Sequence, residues 1–380
     1  MKVAILAVAT NIHANRWINA LAERGIHVLL ITQQPPLPGE YRADVRIALL
    51  PFRGRFAYAL NAPILRWLYD RSGADFLHVH YAGGYGAMAW LSGIRRRLIS
   101  VWGGDVYDVP ERSPLHRLLV VRALKGAARI TSTSHVMARQ VERLGVSRPI
   151  DVVPFGVDTR LFTPAEPSST PRRLTIGTIK TLTHKYGIDT LIHGFAMALE
   201  DPAFAALDPQ LRIGGGGVSR GEYERLGMRL GLSSRLRFAG AIAHRDVPAM
   251  LRQIDIFVAM SRDDSESFGV AVIEASACGL PVVVSEAGGL PEVVEDKKTG
   301  LVIARDRPHQ LADALRRLAG DPALRRRLGE AGRARVKDRY EWRRCVDRMC
   351  EIYEGLAGGG APSGHNGCQP IRPNPLRTRA

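Results

Sequence analysis

Residues 261–284 read Ser261-Arg262-Asp263-Asp264-Ser265-Glu266-Ser267-Phe268-Gly269-Val270-Ala271-Val272-Ile273-Glu274-Ala275-Ser276-Ala277-Cys278-Gly279-Leu280-Pro281-Val282-Val283-Val284. An apolar run ends near Met260 and a polar loop follows. A helix opens around Phe268–Val270 and stops at Gly279, and Pro281 begins a second apolar run. A strand, a loop and a helix returning to another buried strand make the repeating unit of a parallel sheet. Free N–H groups at Phe268, Gly269 and Val270 would point out of the helix start, and such a start beside an approachable glycine suits a diphosphate. Glu266 precedes the helix and Glu274 lies inside it, so their helical levels differ by roughly 7 Å or more at about 1.5 Å per residue. One carboxylate can then address a sugar while the other accepts from ribose hydroxyls, since a carboxylate accepts two donors. The alternative is that Glu266 caps the helix start and Glu274 is a solvated helix residue.

Working outward, the same alternation fills the chain. Val3–Val8, His27–Thr32, Val45–Leu50, Phe76–His80, Leu98–Trp102, Ile130–Ser134 and Ile150–Val153 read as strands, with amphipathic stretches between several of them. A Pro/Ser-rich break at 164–171 reads as linker. The pattern then restarts with strands at Leu174–Lys180, Leu211–Gly214, Leu236–Ala239, Ile254–Met260, Pro281–Ser285 and Gly300–Ile303. The expected fold is α/β, with two doubly wound, Rossmann-like domains facing a central cleft. The expected divisions are 1–157, a linker at 158–172, a second domain at 173–340, a C-terminal helix at 341–356 that packs back on the first domain, and a disordered tail at 357–380.

Composition narrows the class. The chain has 380 residues, 46% hydrophobic and 24% charged, which is globular rather than disordered. No uninterrupted apolar run reaches the ~18 residues that a spanning helix needs. The short apolar start at Met1–Val8 reads as a first strand rather than a signal peptide, so a cytoplasmic protein is expected. Four cysteines, Cys278, Cys345, Cys350 and Cys368, lack metal-type spacing and read as reduced thiols. The net charge is +16, and the first 157 residues hold 20 Lys and Arg against 10 Asp and Glu. That basicity suits phosphorylated substrates, an anionic membrane or nucleic acid, but no nucleic-acid-reading motif is present.

The quoted segment carries a resemblance. Glu266-x7-Glu274 followed by Ala275, Cys278-Gly279 and Pro281-Val282-Val283 resembles the retaining nucleotide-sugar glycosyltransferases of family 4, which have the GT-B fold. Gly288-Gly289-Leu290-Pro291-Glu292-Val293-Val294, Gly177-Thr178-Ile179-Lys180 with Lys185-Tyr186-Gly187-Ile188-Asp189, and Pro154-Phe155-Gly156-Val157-Asp158 extend it over about residues 3–355. The resemblance implies a nucleotide diphosphosugar donor held by Gly177, Lys180, Lys185, Gly214, Ile242, Glu266, Ser267, Phe268, Gly269, Val270 and Glu274. It implies transfer with retention, catalytic roles for Glu266, Lys185, Lys180 and Asp105, and no metal or other cofactor. Gly177 is read as following a strand and letting backbone approach phosphate. Lys180 and Lys185 would neutralise the departing diphosphate. Gly214–Gly217 would flank the nucleotide base or make a plain turn, and Gly288-Gly289 would hold donor or make a turn.

The first domain should supply the acceptor side: Asn11, His13, His80, Trp102 and Asp105. Trp102 stands where many relatives have a sugar-contacting histidine, so that role is not carried over. Asp105 is the preferred polar group there, with a turn-forming aspartate as the alternative. His78 and His80 share a strand face, and a metal pair is the lesser reading because no third ligand accompanies them. Asp263-Asp264 lies outside the context of a metal-binding acidic pair. The acceptor is expected to be a glycan, a lipid-linked intermediate of a bacterial surface polysaccharide, or a small molecule with a hydroxyl. Residues 113–125 with Arg95-Arg96-Arg97 would either touch an anionic membrane at the inner face of the plasma membrane or form a core-facing helix. A sugar-nucleotide epimerase, a phosphorylase and a non-catalytic sugar-nucleotide-binding subunit are the rival readings.

Overall fold

The computed structural model describes residues 1–54, 56–166 and 173–358. Each apolar run expected to be a strand is one. In the first sheet these are β1 (Lys2–Leu6), β2 (His27–Thr32), β3 (Arg46–Leu49), β4 (Phe76–His80), β5 (Arg97–Val101), β6 (Arg129–Ser132) and β7 (Ile150–Val152). In the second they are β8 (Thr175–Ile179), β9 (Gln210–Gly214), β10 (Leu236–Gly240), β11 (Ile256–Ala259), β12 (Val282–Ser285) and β13 (Leu301–Ile303). The orders are β3-β2-β1-β4-β5-β6-β7 and β10-β9-β8-β11-β12-β13, with every pairing parallel. Inner strands such as β4, β5, β11 and β12 are buried along their whole length, which explains their continuous apolar sequence.

Both orders reverse once, between β1 and β4 in the first sheet and between β8 and β11 in the second. At such a reversal the connections leave to opposite faces and open a crevice beyond the strand ends. Helix Ile12–Glu23 starts beside the first crevice, and the Lys180 and Ser261–Glu266 loops leave the second.

Three helices are not among those expected from the sequence: the short Ala57–Leu60 and Pro202–Ala206, and between the first of these and β4, Ala62–Ser72. Ala62–Ser72 buries only Ala62 and Leu65. Two apolar clusters each cover one face of one sheet. A third is shared, running from Val3 and Ile5 through Phe155 and Phe162 to Val282 and Tyr353. The linker composition misled in part. Phe162 is 1% exposed and joins the shared core, so the segment is packed where it begins. Residues 167–172 of the linker and 359–380 of the tail lie outside the described residues.

The chain crosses between the sheets twice, side by side. Val157 N–H donates to Tyr340 O (2.8 Å), and Trp342 N–H donates to Val157 O (3.0 Å). Helix Trp342–Ala357 then lies on the first domain. Asp347 pairs with Arg24, Arg348 with Asp151, and the Tyr353 hydroxyl bonds His78 Nδ1, whose Nε2 meets Ser100 Oγ at 2.7 Å. His78 is therefore a partnered core histidine held neutral by burial. Tyr353→Phe should leave its buried ring nitrogen without a partner and cost about 1–3 kcal/mol in urea denaturation.

Candidate active site

Lys180 leaves the end of β8, and its path is set by glycines. Its N–H donates to Gly214 O (2.9 Å), and a Cβ on Gly215 (φ +130°) would lie 1.9 Å from Lys180 O. The run Gly214–Gly217 thus lets two loop backbones touch. Gly214 itself makes room for Ile242, whose Cδ1 would be 2.5 Å from a Cβ there. Gly177 corrects the sequence reading. It sits inside β8, paired with Phe257 and Arg212, and a Cβ would strike Ile254 Cδ1 at 2.5 Å. Its lost side chain serves packing beneath the sheet, not phosphate.

The glycine-bounded loop delivers Lys180 Nζ to Glu266 Oε2 at 2.7 Å. Glu266 also accepts from the Ser261 hydroxyl (3.1 Å) and is 7% exposed. The aromatic ring of Tyr186 lies 4.6 Å from Lys180 Nζ and 5.6 Å from Lys185 Nζ. Burial draws the Lys180 ammonium down, but Glu266, Tyr186 and Glu274 outweigh it and hold its pKa above the ordinary value. Lys185, by contrast, has no carboxylate partner among the described residues. Arg262 fixes the turn that carries it. Its N–H donates to Lys185 O (2.8 Å), and its guanidinium bonds His184 O, Asp189 and Asp306.

Glu274 is 5% exposed, one turn inside helix Val270–Ala277, and its Oε1 lies 2.9 Å from His244 Nε2. Neither carboxylate is the bland alternative: Glu266 makes no cap bond to the helix, whose N-cap is Gly269, and Glu274 is not solvated. His244 went unread because nothing in a loop residue 30 positions away marks it as a partner. Asp264 accepts from Gly288 N–H (3.1 Å) and pairs with Arg305. Among the described residues no three His, Cys, Asp or Glu side chains are placed to hold a metal.

The first domain contributes an aromatic wall. His13 stacks on Phe155 with ring centroids 4.3 Å apart, and Trp102 stands edge-on to Phe155 at 5.4 Å and tilted to His80 at 4.8 Å. His13 faces the second domain closely enough that Lys180 and His244, with Arg16, add to the burial that lowers its pKa to about 3. His80 is lowered to about 3 by burial alone. Two expected acceptor residues turn out to be structural. Asp105 is 0% exposed and accepts from Ala82 N–H (2.8 Å), Gly103 N–H (2.8 Å) and Trp102 N–H (3.1 Å), so it shapes the turn from a position closed to solvent. Burial raises its pKa against those amides. Asn11 caps helix Ile12–Glu23 by accepting from His13 and Ala14.

Loop contacts join the domains across this site. Ser267, read as a donor ligand, instead donates to Trp102 O (2.9 Å). Phe268 is 3% exposed, its ring 6.3 Å from Phe155 and 5.5 Å from Tyr340, so only its backbone faces the helix start. Gly288-Gly289 makes a turn under this loop: Gly289 N–H donates to Glu266 O (2.9 Å), and a Cβ on Gly288 would lie 2.2 Å from the same oxygen. The turn leads to Glu292, which sequence reasoning quoted but gave no role. Glu292 accepts from His135 N–H (2.9 Å) and Val136 N–H, at the start of helix His135–Arg143 in the first domain. A carboxylate there complements the helix dipole.

The chain and its fold have known relatives. The profile described as glycosyl transferases group 1 matches residues 162–335, and that described as glycosyl transferase 4-like matches 2–134. A GDP-mannose-dependent alpha-(1-6)-phosphatidylinositol monomannoside mannosyltransferase of Mycolicibacterium smegmatis is 30% identical over 285 residues, covering 71% of this chain and 73% of its own. A D-inositol 3-phosphate glycosyltransferase of Actinosynnema mirum is 29% identical, covering 90% of this chain and 91% of its own. Sucrose-phosphate synthase of Thermosynechococcus elongatus shares the fold at a TM-score of 0.79 and 24% identity, covering 95% of this chain and 100% of that one.

His13, His78 and His80 are all held neutral well below the usual histidine range, so the unfolded chain binds more protons than the folded one as pH falls below about 6.5. Stability should be full above that pH and fall on acidification, with each histidine contributing about 1.4 kcal/mol per pH unit. Denaturant midpoints between pH 7 and pH 5 check this, and His80→Gln should flatten the dependence by one histidine's share.

Proposed function

The chain belongs to the glycosyl transferases group 1 family, and from the grouping of Lys180, Lys185, Glu266 and Glu274 we propose how it handles its substrates. The donor is a nucleoside diphosphate sugar. Its ribose hydroxyls donate to the free oxygen of Glu274, the oxygen not facing His244. Its diphosphate lies at the start of helix Val270–Ala277, with Lys185 supplying the uncommitted cation and Lys180 shared with Glu266. Glu266 faces the transferred sugar. The bond between the anomeric carbon and the diphosphate oxygen breaks, and the acceptor oxygen bonds that carbon from the same face. The acceptor proton passes to the departing diphosphate, which leaves with the bonding pair. Configuration is retained, no covalent enzyme intermediate is required, and the lysines and helix amides carry the charge stabilisation that a metal would otherwise supply. The single observation that carries this reading is the Lys180–Glu266 pair at 2.7 Å, set at the second sheet's crevice with Glu274 close enough to act on the same lysine.

The acceptor enters against His13 and Trp102, with His80, 2% exposed, buried behind Trp102 rather than facing the acceptor as expected, and offers a hydroxyl of a polyol, a glycan or a lipid-linked glycan. The mannosyltransferase and inositol phosphate relatives support that range. Trp102 in place of a polar ring makes this wall a stacking surface for a sugar or cyclitol face.

Peripheral membrane contact belongs to the same proposal. Among the described residues no helix is long and apolar enough to cross a membrane. Helix Pro114–Lys125 buries Val120, Ala123 and Leu124 but leaves Leu115 61% and Leu118 50% exposed beside Arg117 and Arg122. It packs on helix Gly84–Leu91, as does helix Ala62–Ser72 with Trp67 55% exposed. The Arg95-Arg96-Arg97 triplet is not part of that face: Arg97 is buried in β5, and Arg96 bonds the end of the C-terminal helix.

Three measurements test the proposal. Nuclear magnetic resonance of the product should show the donor's anomeric configuration, and inversion would exclude the mechanism. Glu274→Ala should weaken donor binding at least ten-fold, whereas Lys185→Ala should lower kcat more than it raises KM, each loss matching about 1.5–3 kcal/mol for a charge-assisted bond. Leu115→Ser with Leu118→Ser should reduce co-sedimentation with phosphatidylglycerol vesicles, and wild-type protein that ignores such vesicles removes the membrane contact.

A further inference from the structure

At the end of the first sheet opposite the active site, the amino ends of β5 and β6 border a cleft of about 470 Å³. Arg95, Arg97 and Arg148 line it, with Trp90 and the backbone of Gly126–Ala128. Three arginines line the one cleft, and among the described residues none of them pairs with a carboxylate. Arg97 is the informative member. It is 3% exposed, one of its terminal amines donates to Ile94 O, and its Nε is buried with no hydrogen-bond partner. Arg148 spends its Nε on Lys125 O (3.0 Å), leaving its terminal amines for the cleft. A guanidinium has five N–H donors, so carbonyls account for only part of this set.

A buried cation without a counter-charge, and with a donor left unmet, is costly. The cost is greater because a second guanidinium is close: burial, then Arg148, lowers the pKa of Arg97. Nothing in the glycosyl-transfer site uses these residues, which sit by the amino ends of β5 and β7, away from the crevice at the carboxyl ends. We propose that this cleft binds a phosphoryl oxyanion, seated on the Arg95, Arg97 and Arg148 forks with its organic body against Trp90. Guanidinium forks match phosphate oxygens in pairs, and the half-buried indole offers a flat apolar neighbour. The site is independent of the donor pocket and does not rest on the transferase reading. Its ligand is either a soluble phosphate ester or the headgroup of an anionic phospholipid.

The test uses full-length protein with its donor pocket saturated by nucleoside diphosphate, so that only a second anion site is read. Arg95 and Arg148 are exposed, and Arg95→Ala with Arg148→Ala should fold normally; Arg97→Lys is the buried-position variant. Inorganic phosphate is titrated by calorimetry against chloride at matched ionic strength, and phosphatidylglycerol and phosphatidylcholine vesicles are compared by co-sedimentation. The double variant should lose phosphate affinity at least ten-fold, or lose its preference for phosphatidylglycerol, while its nucleoside diphosphate affinity stays unchanged. Loss in the phosphate arm alone identifies a soluble ligand, and loss in the vesicle arm identifies a headgroup. Arg326→Ala with Arg327→Ala removes the same charge from a surface helix. If that control weakens binding as much, or if the cleft variants change neither arm, the proposal is overturned.

Discussion

A buried ion pair sets the terms for the whole second domain. Lys180 and Glu266 meet at 2.7 Å with side chains 19% and 7% exposed. Taking both charges out of water costs several kcal/mol, which their attraction repays only when the remaining polar atoms are also met. Here Ser261 and the ring of Tyr186 meet them. The pair exists because β8 and β11 are neighbours where the strand order reverses, so loops distant in sequence leave the sheet side by side. The glycine run at 214–217 then lets the Lys180 loop lie close enough to reach. Removing either partner would strand the other charge in a largely buried crevice, which makes this contact structural whatever substrate it meets.

The two domains are tied by contacts radiating from that loop. Glu266 O accepts from the Gly288-Gly289 turn, the turn positions Glu292, and Glu292 caps a helix of the first domain. Ser267 reaches Trp102 O from the same loop. The shared apolar core and the paired crossings at Val157 and Tyr340–Trp342 hold the other side. The aromatic wall of His13, Phe155 and Trp102 therefore lies near enough to the charged groups that Lys180 and His244 act on His13, with apolar rings on one side and fixed charges on the other. That contrast suits a reaction in which charge develops on a departing diphosphate.

Much of this was legible in sequence. Apolar runs buried on both faces gave the strands, and Glu266-x7-Glu274 marked two carboxylates that the fold buries and pairs with Lys180 and His244. What stayed hidden was whatever depends on partners far along the chain. Gly177 read as a phosphate contact because a glycine near a strand end looks alike in either role; only Ile254, pressed against it, shows that packing requires it. Asp105 read as a reactive carboxylate because sequence does not show the three amides that occupy it. Ser267 and Glu292 carry no local sign that they bridge domains. His244 is a single residue 30 positions from Glu274, and the far cleft joins Arg95 and Arg97 to Arg148, some fifty residues on, so neither grouping has a local pattern to announce it. Phe162 was masked by the proline and serine around it.

The most direct test of the central account is hydrogen–deuterium exchange with and without the tightest-binding of a panel of GDP and UDP sugars. The account predicts protection confined to residues 180–187, the loop and helix at 264–274, and the neighbourhood of His244. Protection absent from those segments, or falling only on the first domain, would contradict it.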